Sequence, residues 1–171
     1  MNKKIAYKDF TIKANVADLT KIELALMHMR ATFIGVDRQK DTYFSVPKGR
    51  LKLREGSIET LITHYEREED DGMERTTVYQ YDLTPSSEQI SKLHREHTVI
   101  GIIEKERRIY FVNNVKIHFD KIVEGKTFIE VEAIDSDDSM SIEQLRLQCT
   151  SIKDKLGIRD EELMRTGYLE S

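Results

Sequence analysis

The sequence predicts an α+β protein whose centre is a closed eight-stranded antiparallel β-barrel with flanking helices. Alternation of apolar and polar residues dominates the chain and is typical of strands with one buried face. Short turn sequences separate neighbouring strands, which implies antiparallel pairing, and eight such strands can close without an open edge. Because 171 residues fit one domain, we predict a single unit over residues 1–171.

Eight segments carry the strand pattern along the chain. The predicted strands are residues 4–15, 41–46, 49–55, 58–67, 75–83, 99–112, 115–123 and 127–134. Residues 47–49, 55–57 and 70–72 contain Gly or Asp, which suit tight turns. Asn113-Asn114 predicts a two-residue hairpin.

Three or four helices interrupt the strands. The first is expected to begin after the N-cap Asp18, to continue at helical spacing to Phe33 and to end at Gly35. A short fourth helix is predicted over residues 160–165. The second and third open with the spacing of a capping box, and the third ends at a glycine: Ser86 with Gln89, Ser141 with Gln144, and Gly157.

Composition excludes several classes of protein. The longest apolar runs, such as residues 100–103, are far shorter than the roughly 20 residues of a membrane-spanning helix. The first residues lack a secretory signal pattern, so we predict a cytoplasmic protein without a membrane partner. A net charge of -4 argues against a nucleic-acid partner. The single cysteine, Cys149, lies beside Leu145 and Ile152 in a helical pattern, which predicts a buried core thiol.

Basic residues at every second position are the main functional signal. Arg50, Lys52 and Arg54 share one face of a predicted strand, and Leu51 and Leu53 share the other. On one strand alone, this pattern fits a solvated surface as well as a binding site.

Other strands repeat the arrangement. The further residues at period two are Lys105 and Arg107, Tyr65 and Arg67, and Arg75 with Thr77 and Tyr79. If these faces point into one barrel, the cations are crowded, which is costly unless an anion of high charge density neutralises them. A triphosphate carries roughly four negative charges and many acceptor oxygens for Arg and Lys, so we predict a triphosphate ligand.

Carboxylates also recur at period two. Glu130 and Glu132 share one strand face, and Asp120 and Asp9 are candidate partners on two other strands. Hard cations take oxygen ligands and bind through carboxylates together with substrate phosphates, so these acids predict a Mg²⁺ or Mn²⁺ site. The five histidines show no zinc-site spacing, and the chain lacks a Walker-type loop and a Ser or Cys nucleophile motif.

These residues resemble the CYTH family, and within it the class IV adenylate cyclases. The resemblance covers nearly the whole chain. It is carried by residues 41–47 and 49–55, Tyr65 and Arg67, Arg75 with Thr77 and Tyr79, Lys105 and Arg107, His118 with Asp120, and residues 128–132. The resemblance implies a tunnel in which basic residues hold a triphosphate and acidic residues hold divalent metal. It also implies either cyclisation of ATP to cyclic AMP and pyrophosphate, or hydrolysis of thiamine triphosphate or inorganic triphosphate.

One departure from the family concerns the first strand. The family pattern there is Glu-x-Glu-x-Lys, whereas this chain has Asp9, Thr11 and Lys13. Only the lysine is unchanged, so the metal site would depend on Glu130 and Glu132 together with Asp9. This departure puts metal affinity, and therefore turnover, in question.

The leading hypothesis is thus a metal-dependent enzyme acting on ATP, thiamine triphosphate or inorganic triphosphate, with a homodimer left open. The predicted catalytic groups are Lys13, Arg54 and Lys105. The predicted substrate-binding residues are Lys13, Arg50, Lys52, Arg54, Tyr65, Arg67, Arg75, Lys105 and Arg107, and the predicted metal ligands are Glu130, Glu132, Asp120 and Asp9. The alternative is a non-catalytic nucleotide- or polyphosphate-binding module with a degenerate first-strand motif. A lipocalin-like carrier would need an apolar interior, which the period-two cations oppose.

Overall fold

Eight antiparallel strands close into one barrel in the computed structural model, which describes residues 7–70 and 73–164. The strands are β1 Lys8–Asn15, β2 Thr32–Phe44, β3 Arg50–Gly56, β4 Thr60–Asp70, β5 Met73–Leu83, β6 Val99–Val112, β7 Val115–Ile122 and β8 Thr127–Asp135. Their order around the barrel is β1-β5-β4-β3-β2-β6-β7-β8. The predicted α+β fold with a closed eight-stranded barrel is confirmed.

Three helices lie outside the barrel: α1 Leu19–His28, α2 Ser87–Glu96 and α3 Ile142–Leu156. Both predicted capping boxes form, at Ser86 and at Ser141. Gly157 ends α3 in the left-handed conformation, with a φ of 74°. None of the helices in the described part of the chain has the length and apolar character that a membrane crossing needs.

The first helix is shorter than predicted, and the second strand is longer. α1 ends at His28, Arg30 turns the chain with a φ of 56°, and β2 begins at Thr32 rather than at residue 41. The helical spacing up to Phe33 was misleading, because β6 offers a long edge on which Thr32–Phe44 pairs. Gly35 therefore lies in a strand, at a register shift, and does not end the helix.

Two smaller differences concern the ends of elements. The first strand begins at Lys8, whereas the predicted residues 4–6 lie outside the described residues, as does the turn at residues 71–72. The predicted fourth helix is a 3-10 turn over Asp160–Glu162, and residue 165 lies beyond the described part.

The hydrophobic cores lie outside the barrel. The larger one packs α1 and α3 against the outer faces of β1, β7 and β8, and it includes Cys149, which is buried as predicted. The smaller one packs Ile90 and Leu93 of α2 against Leu51 and Leu53. Because the outward-facing residues are the apolar ones, period-two alternation places the polar residues of the same strands inside.

Candidate functional site

The barrel encloses a cavity of about 690 Å³, here called the tunnel. Its walls are mainly charged and polar, which is unusual for the centre of a small barrel. The end at which residues 56–59 join β3 to β4 is here called the hairpin end. The basic residues that line the tunnel are Lys13, Arg50, Lys52, Arg54, Arg67, Lys105, Arg107 and Lys116.

Asp41 is the centre of a buried ion cluster. Arg54 donates from Nε to Oδ1 and from Nη2 to Oδ2, each at 2.8 Å, and Lys105 Nζ donates to Oδ2 at 2.5 Å. The register explains the contact with Arg54, because Asp41 and Arg54 are directly opposed on β2 and β3. Burial alone would raise the pKa of Asp41, but Arg54 and Lys105 hold it well below its usual range. Asp41 is therefore ionised and holds both cations rigidly.

Arg107 is held in the same way by Asp120. Its Nε and Nη2 donate to the two carboxylate oxygens, both at 2.7 Å, across the opposed strands β6 and β7. Burial would raise the pKa of Asp120, but Arg107 keeps it well below the usual value. Both oxygens of the predicted metal ligand Asp120 thus already accept hydrogen bonds from an arginine.

Lys52 differs from these paired cations. Among the side chains that the structure describes, no carboxylate lies within 4.0 Å of its Nζ, which sits 5.5 Å from the centre of the Tyr65 ring. Burial, followed by the nearby Arg54, lowers the pKa of Lys52 well below its usual value. Among the described residues, the tunnel wall thus holds a buried lysine without a carboxylate counter-ion.

Further cations flank Lys52 toward the end opposite the hairpin end. The Arg67 guanidinium lies 5.2 Å from the Tyr65 ring centre and 4.0 Å from Glu130. Lys13 Nζ lies 4.8 Å from the Phe128 ring centre, and Arg50 lines the same part of the tunnel. These positions agree with the predicted inward faces of β1, β3 and β4.

The acidic side of the tunnel is formed by β1 and β8. Asp9 and Glu132 share a hydrogen bond, and burial, together with Glu132, raises the pKa of Asp9 well above its usual value. The anionic form of Asp9 is therefore disfavoured beside Glu132. The hydrogen bond from Asp9 keeps the pKa of Glu132 low, although burial opposes this. Glu130 is different, because His118 and Arg67 overcome the effect of burial and lower its pKa to about 2.

The donor atoms of His118, Asp120 and Glu130 lie within 4.8 Å of one another. His118 Nδ1 is buried without a hydrogen-bond partner in the described part of the molecule, and burial lowers the pKa of this imidazole, which favours its neutral form. The nearest cations to the Glu130 carboxylate are 3.7–4.0 Å away, beyond hydrogen-bond distance, so its oxygens are open to a ligand. An ionised carboxylate and an orphaned imidazole nitrogen fit a divalent cation, to which Glu132 and Asp9 could add oxygens.

The structure corrects the face predicted for β5. Thr76 and Val78 line the tunnel, so the residues between and beside them point outward. Arg75 is exposed and Tyr79 is 47% exposed on the outer face. Arg75 therefore does not join the other cations.

Asp41, Lys116 and Glu59 are charged residues of the interior that were not predicted from the sequence. Asp41 lies inside on β2, whereas Lys116 on β7 and Glu59 just before β4 form an ion pair with Nζ–Oε distances of 2.9 and 2.7 Å. A signal for Asp41 was present, because Asp37, Gln39 and Asp41 alternate along one strand. Such polar alternation indicates an inward polar face only once the barrel's outer packing is known.

Lys105 is expected to make the binding of an anion in the tunnel depend on pH. Burial, with Arg54 nearby, lowers its pKa to about 8. Below that pH, the buried charge destabilises the native state. Between about pH 8 and about pH 10.4, the pKa of a lysine in the unfolded chain, Lys105 loses its proton in the native state and keeps it in the unfolded state. The native state is therefore no longer destabilised by the buried charge.

We expect the affinity for inorganic triphosphate to fall as the pH rises through about 8. Titration calorimetry in two buffers of different ionisation enthalpy should show proton uptake on binding. Lys105→Arg, which stays charged throughout this range, should remove the part of both effects that comes from Lys105, whereas the share of Lys52, whose pKa is also lowered by burial, should remain. The same proton uptake in that variant would contradict the assignment to Lys105.

Comparisons with known proteins agree with this geometry. The sequence matches the family model of the CYTH domain over residues 11–168. The solved structure of the PH1012 protein from Pyrococcus horikoshii OT3 superposes with a TM-score of 0.78 at 23% identity, and the match covers 98% of each chain. A candidate adenylate cyclase from Vibrio parahaemolyticus gives a TM-score of 0.78 at 18% identity, with 95% of each chain covered.

A more distant structural neighbour comes from Hippeastrum and is described as a candidate adenylyl cyclase with a dominant triphosphatase activity. Its TM-score is 0.60 at 12% identity, and the match covers 93% of this chain and 91% of that one. No curated protein matches the sequence. These solved structures share the barrel with its flanking helices.

Proposed function

Because this chain belongs to the CYTH family, we propose that it is a divalent-metal-dependent enzyme that acts on the triphosphate group of a small molecule. Two reactions fit the same site. Attack by water on the terminal phosphorus is hydrolysis, and attack by a ribose 3′-hydroxyl on the α-phosphorus of ATP gives cyclic AMP and pyrophosphate. The neighbours from Vibrio parahaemolyticus and Hippeastrum bear names from these two classes.

The observation that carries the proposal is the buried amine of Lys52, which has no carboxylate partner among the described residues. Arg54 and Arg107 have buried carboxylate partners, whereas Lys52 has none among the described side chains. Keeping a buried cation without a counter-ion costs stability, so its retention is best explained by an anion that arrives from solution. Arg50 and Arg67 lie beside it, which favours a ligand with several charges over a single carboxylate.

The charged groups then have different roles in binding and catalysis. Lys13, Arg50, Lys52 and Arg67 bind phosphate oxygens, and Arg54 stabilises developing charge from an orientation that Asp41 has already set. Such preorganised cations supply most of the catalysis in phosphoryl transfer. Lys105, with a pKa of about 8, would hold a proton for the leaving oxygen.

Glu130 and Glu132, with His118 and Asp9 as further donors, would hold Mg²⁺ or Mn²⁺. Such a cation neutralises charge on the phosphate oxygens and orients them. The raised pKa of Asp9 disfavours the anionic form in which it would contribute a carboxylate oxygen to the metal. Asp120 is the least available acid, since both of its oxygens are engaged by Arg107.

The test is to incubate the protein with ATP, thiamine triphosphate and inorganic triphosphate, each with Mg²⁺ or Mn²⁺, and to separate cyclic AMP, pyrophosphate and phosphate. We expect metal-dependent product from at least one substrate. Glu130→Gln should reduce the rate by more than tenfold, whereas Glu143→Gln, at an exposed position on α3, should leave it unchanged. The absence of product from every substrate would reject the enzyme.

A second candidate, a non-catalytic triphosphate-binding module, is favoured by one observation. Burial and Glu132 raise the pKa of Asp9, which disfavours its anionic form, and Thr11 contributes a hydroxyl where the family pattern has a carboxylate. If metal binding is the defect, the double variant Asp9→Glu, Thr11→Glu should gain at least tenfold in metal-dependent turnover. A robust rate in the unmodified protein would reject this candidate.

A further inference from the structure

An ion pair crosses the barrel at the hairpin end. Lys116 lines the tunnel from β7, and its Nζ donates to both carboxylate oxygens of Glu59, at 2.9 and 2.7 Å. Glu59 immediately precedes β4, and β3, β2 and β6 lie between β4 and β7 on one side of the closed order. The two residues therefore come from opposite walls, and their pair spans the interior.

The turn that carries Glu59 is held in place by a fully buried carboxylate. Asp37 accepts hydrogen bonds from the backbone N–H groups of Ile58 and Glu59, at 2.8 and 3.0 Å, and from Ser57 Oγ at 3.1 Å. The turn also packs closely on Asp37, because a Cβ added to Gly56 would lie 2.6 Å from Asp37 Oδ1. Glu59 thus has a fixed backbone from which to reach Lys116.

The Glu59 side chain is a permanent negative charge in a cationic tunnel. Burial would raise its pKa, but Lys116 and then Arg54 lower it to about 2. Glu59 therefore neutralises Lys116, one of the cations that line the tunnel, and leaves it less free to bind a phosphate group. It would also repel any phosphate that approached from the side of Lys52 and Arg54.

We propose that Glu59 limits the length of the phosphate chain that the tunnel accepts. It does so as a built-in anion that holds Lys116 and closes the hairpin end to a fourth phosphate. This inference rests on the proposed function, since it assumes a triphosphate bound along Arg50, Lys52 and Arg54. Glu59 is then a specificity-determining residue, because it affects which length of phosphate chain binds and does not contact the reacting atoms.

The experiment compares the affinities for inorganic triphosphate and inorganic tetraphosphate by titration calorimetry without metal. The unmodified protein should bind triphosphate at least as tightly as tetraphosphate, despite the larger charge of the latter. Glu59→Gln should raise the affinity ratio of tetraphosphate to triphosphate about tenfold, because one repelling charge is removed and Lys116 is released. Adding Lys116→Gln to that variant should reverse the gain.

The matched control is Glu55→Gln, which removes one negative charge from an exposed position on the same hairpin and should leave the ratio unchanged. An unchanged ratio in a folded Glu59→Gln variant, or much tighter tetraphosphate binding by the unmodified protein, would overturn the length limit while the proposed function stands. If triphosphate does not bind the unmodified protein, both proposals fail. The measurement on the unmodified protein decides the matter even if the variant does not fold.

Discussion

Replacing Lys52 with methionine is expected to weaken triphosphate binding and to stabilise the protein at the same time. A hydrogen bond to a charged group contributes about 2 kcal/mol, which corresponds to about a 30-fold loss of affinity. In the free protein, the same amine is buried without a carboxylate partner among the described side chains, so its removal should add about 1 kcal/mol of stability. For a chain of this length, that gain raises Tm by about 3 °C.

The two measurements are calorimetric titration with inorganic triphosphate and thermal unfolding without ligand. Lys40→Met is the matched control, because Lys40 is exposed on the outer face of β2 and should change neither quantity appreciably. A lower affinity for triphosphate together with a higher Tm would indicate that Lys52 serves ligand binding at a cost in stability. A loss of stability together with unchanged binding would assign Lys52 a structural role instead.

Asp41→Asn should be the most destabilising single change in the tunnel. It removes the charge that holds Arg54 and Lys105, all three of which are buried. Breaking a buried ion pair by removing one partner costs about 3 to 5 kcal/mol, because the remaining charge loses its compensation. Thermal unfolding should show a fall in Tm of about 10 °C.

A triphosphate should partly replace the missing carboxylate in this variant. We therefore expect inorganic triphosphate to raise the Tm of the Asp41→Asn protein by more than it raises that of the unmodified protein. Asp138→Asn, at an exposed ion pair with Lys8, should cost less than about 0.5 kcal/mol and show no such difference. If triphosphate raised the Tm of all three proteins equally, Asp41 and the ligand would not interact with the same cations.

The sequence was most informative where one face of a strand is apolar. In β3, alternation placed Arg50, Lys52 and Arg54 on one face and Leu51 and Leu53 on the other, and the packing of α2 on the leucines makes the basic face the inner one. In β5, the neighbouring Thr76 and Thr77 give no such contrast. Arg75, Thr77 and Tyr79 do share one face, but it is the outer face, which alternation alone could not decide.

The ion cluster could not be predicted, because its members are far apart in the chain. Asp41 meets Arg54 and Lys105 only after β2 has paired with β3 on one side and with β6 on the other. Period-two patterns report the faces of single strands and contain no register between strands. For this reason the sequence indicated an excess of positive charge on the inner faces of the strands, but not how many of these cations are paired with buried carboxylates.

The pairing of β1 with β8 has a consequence for the rate of folding. Tunnel closure requires Lys8–Asn15 to find Thr127–Asp135, so the step that completes the wall is the longest loop closure in the barrel. Intermediates formed before this step would lack the full set of cations and would have no cavity to enclose a phosphate chain. An anion bound in the closed tunnel should therefore act mainly by slowing unfolding, and so extend the lifetime of the native state.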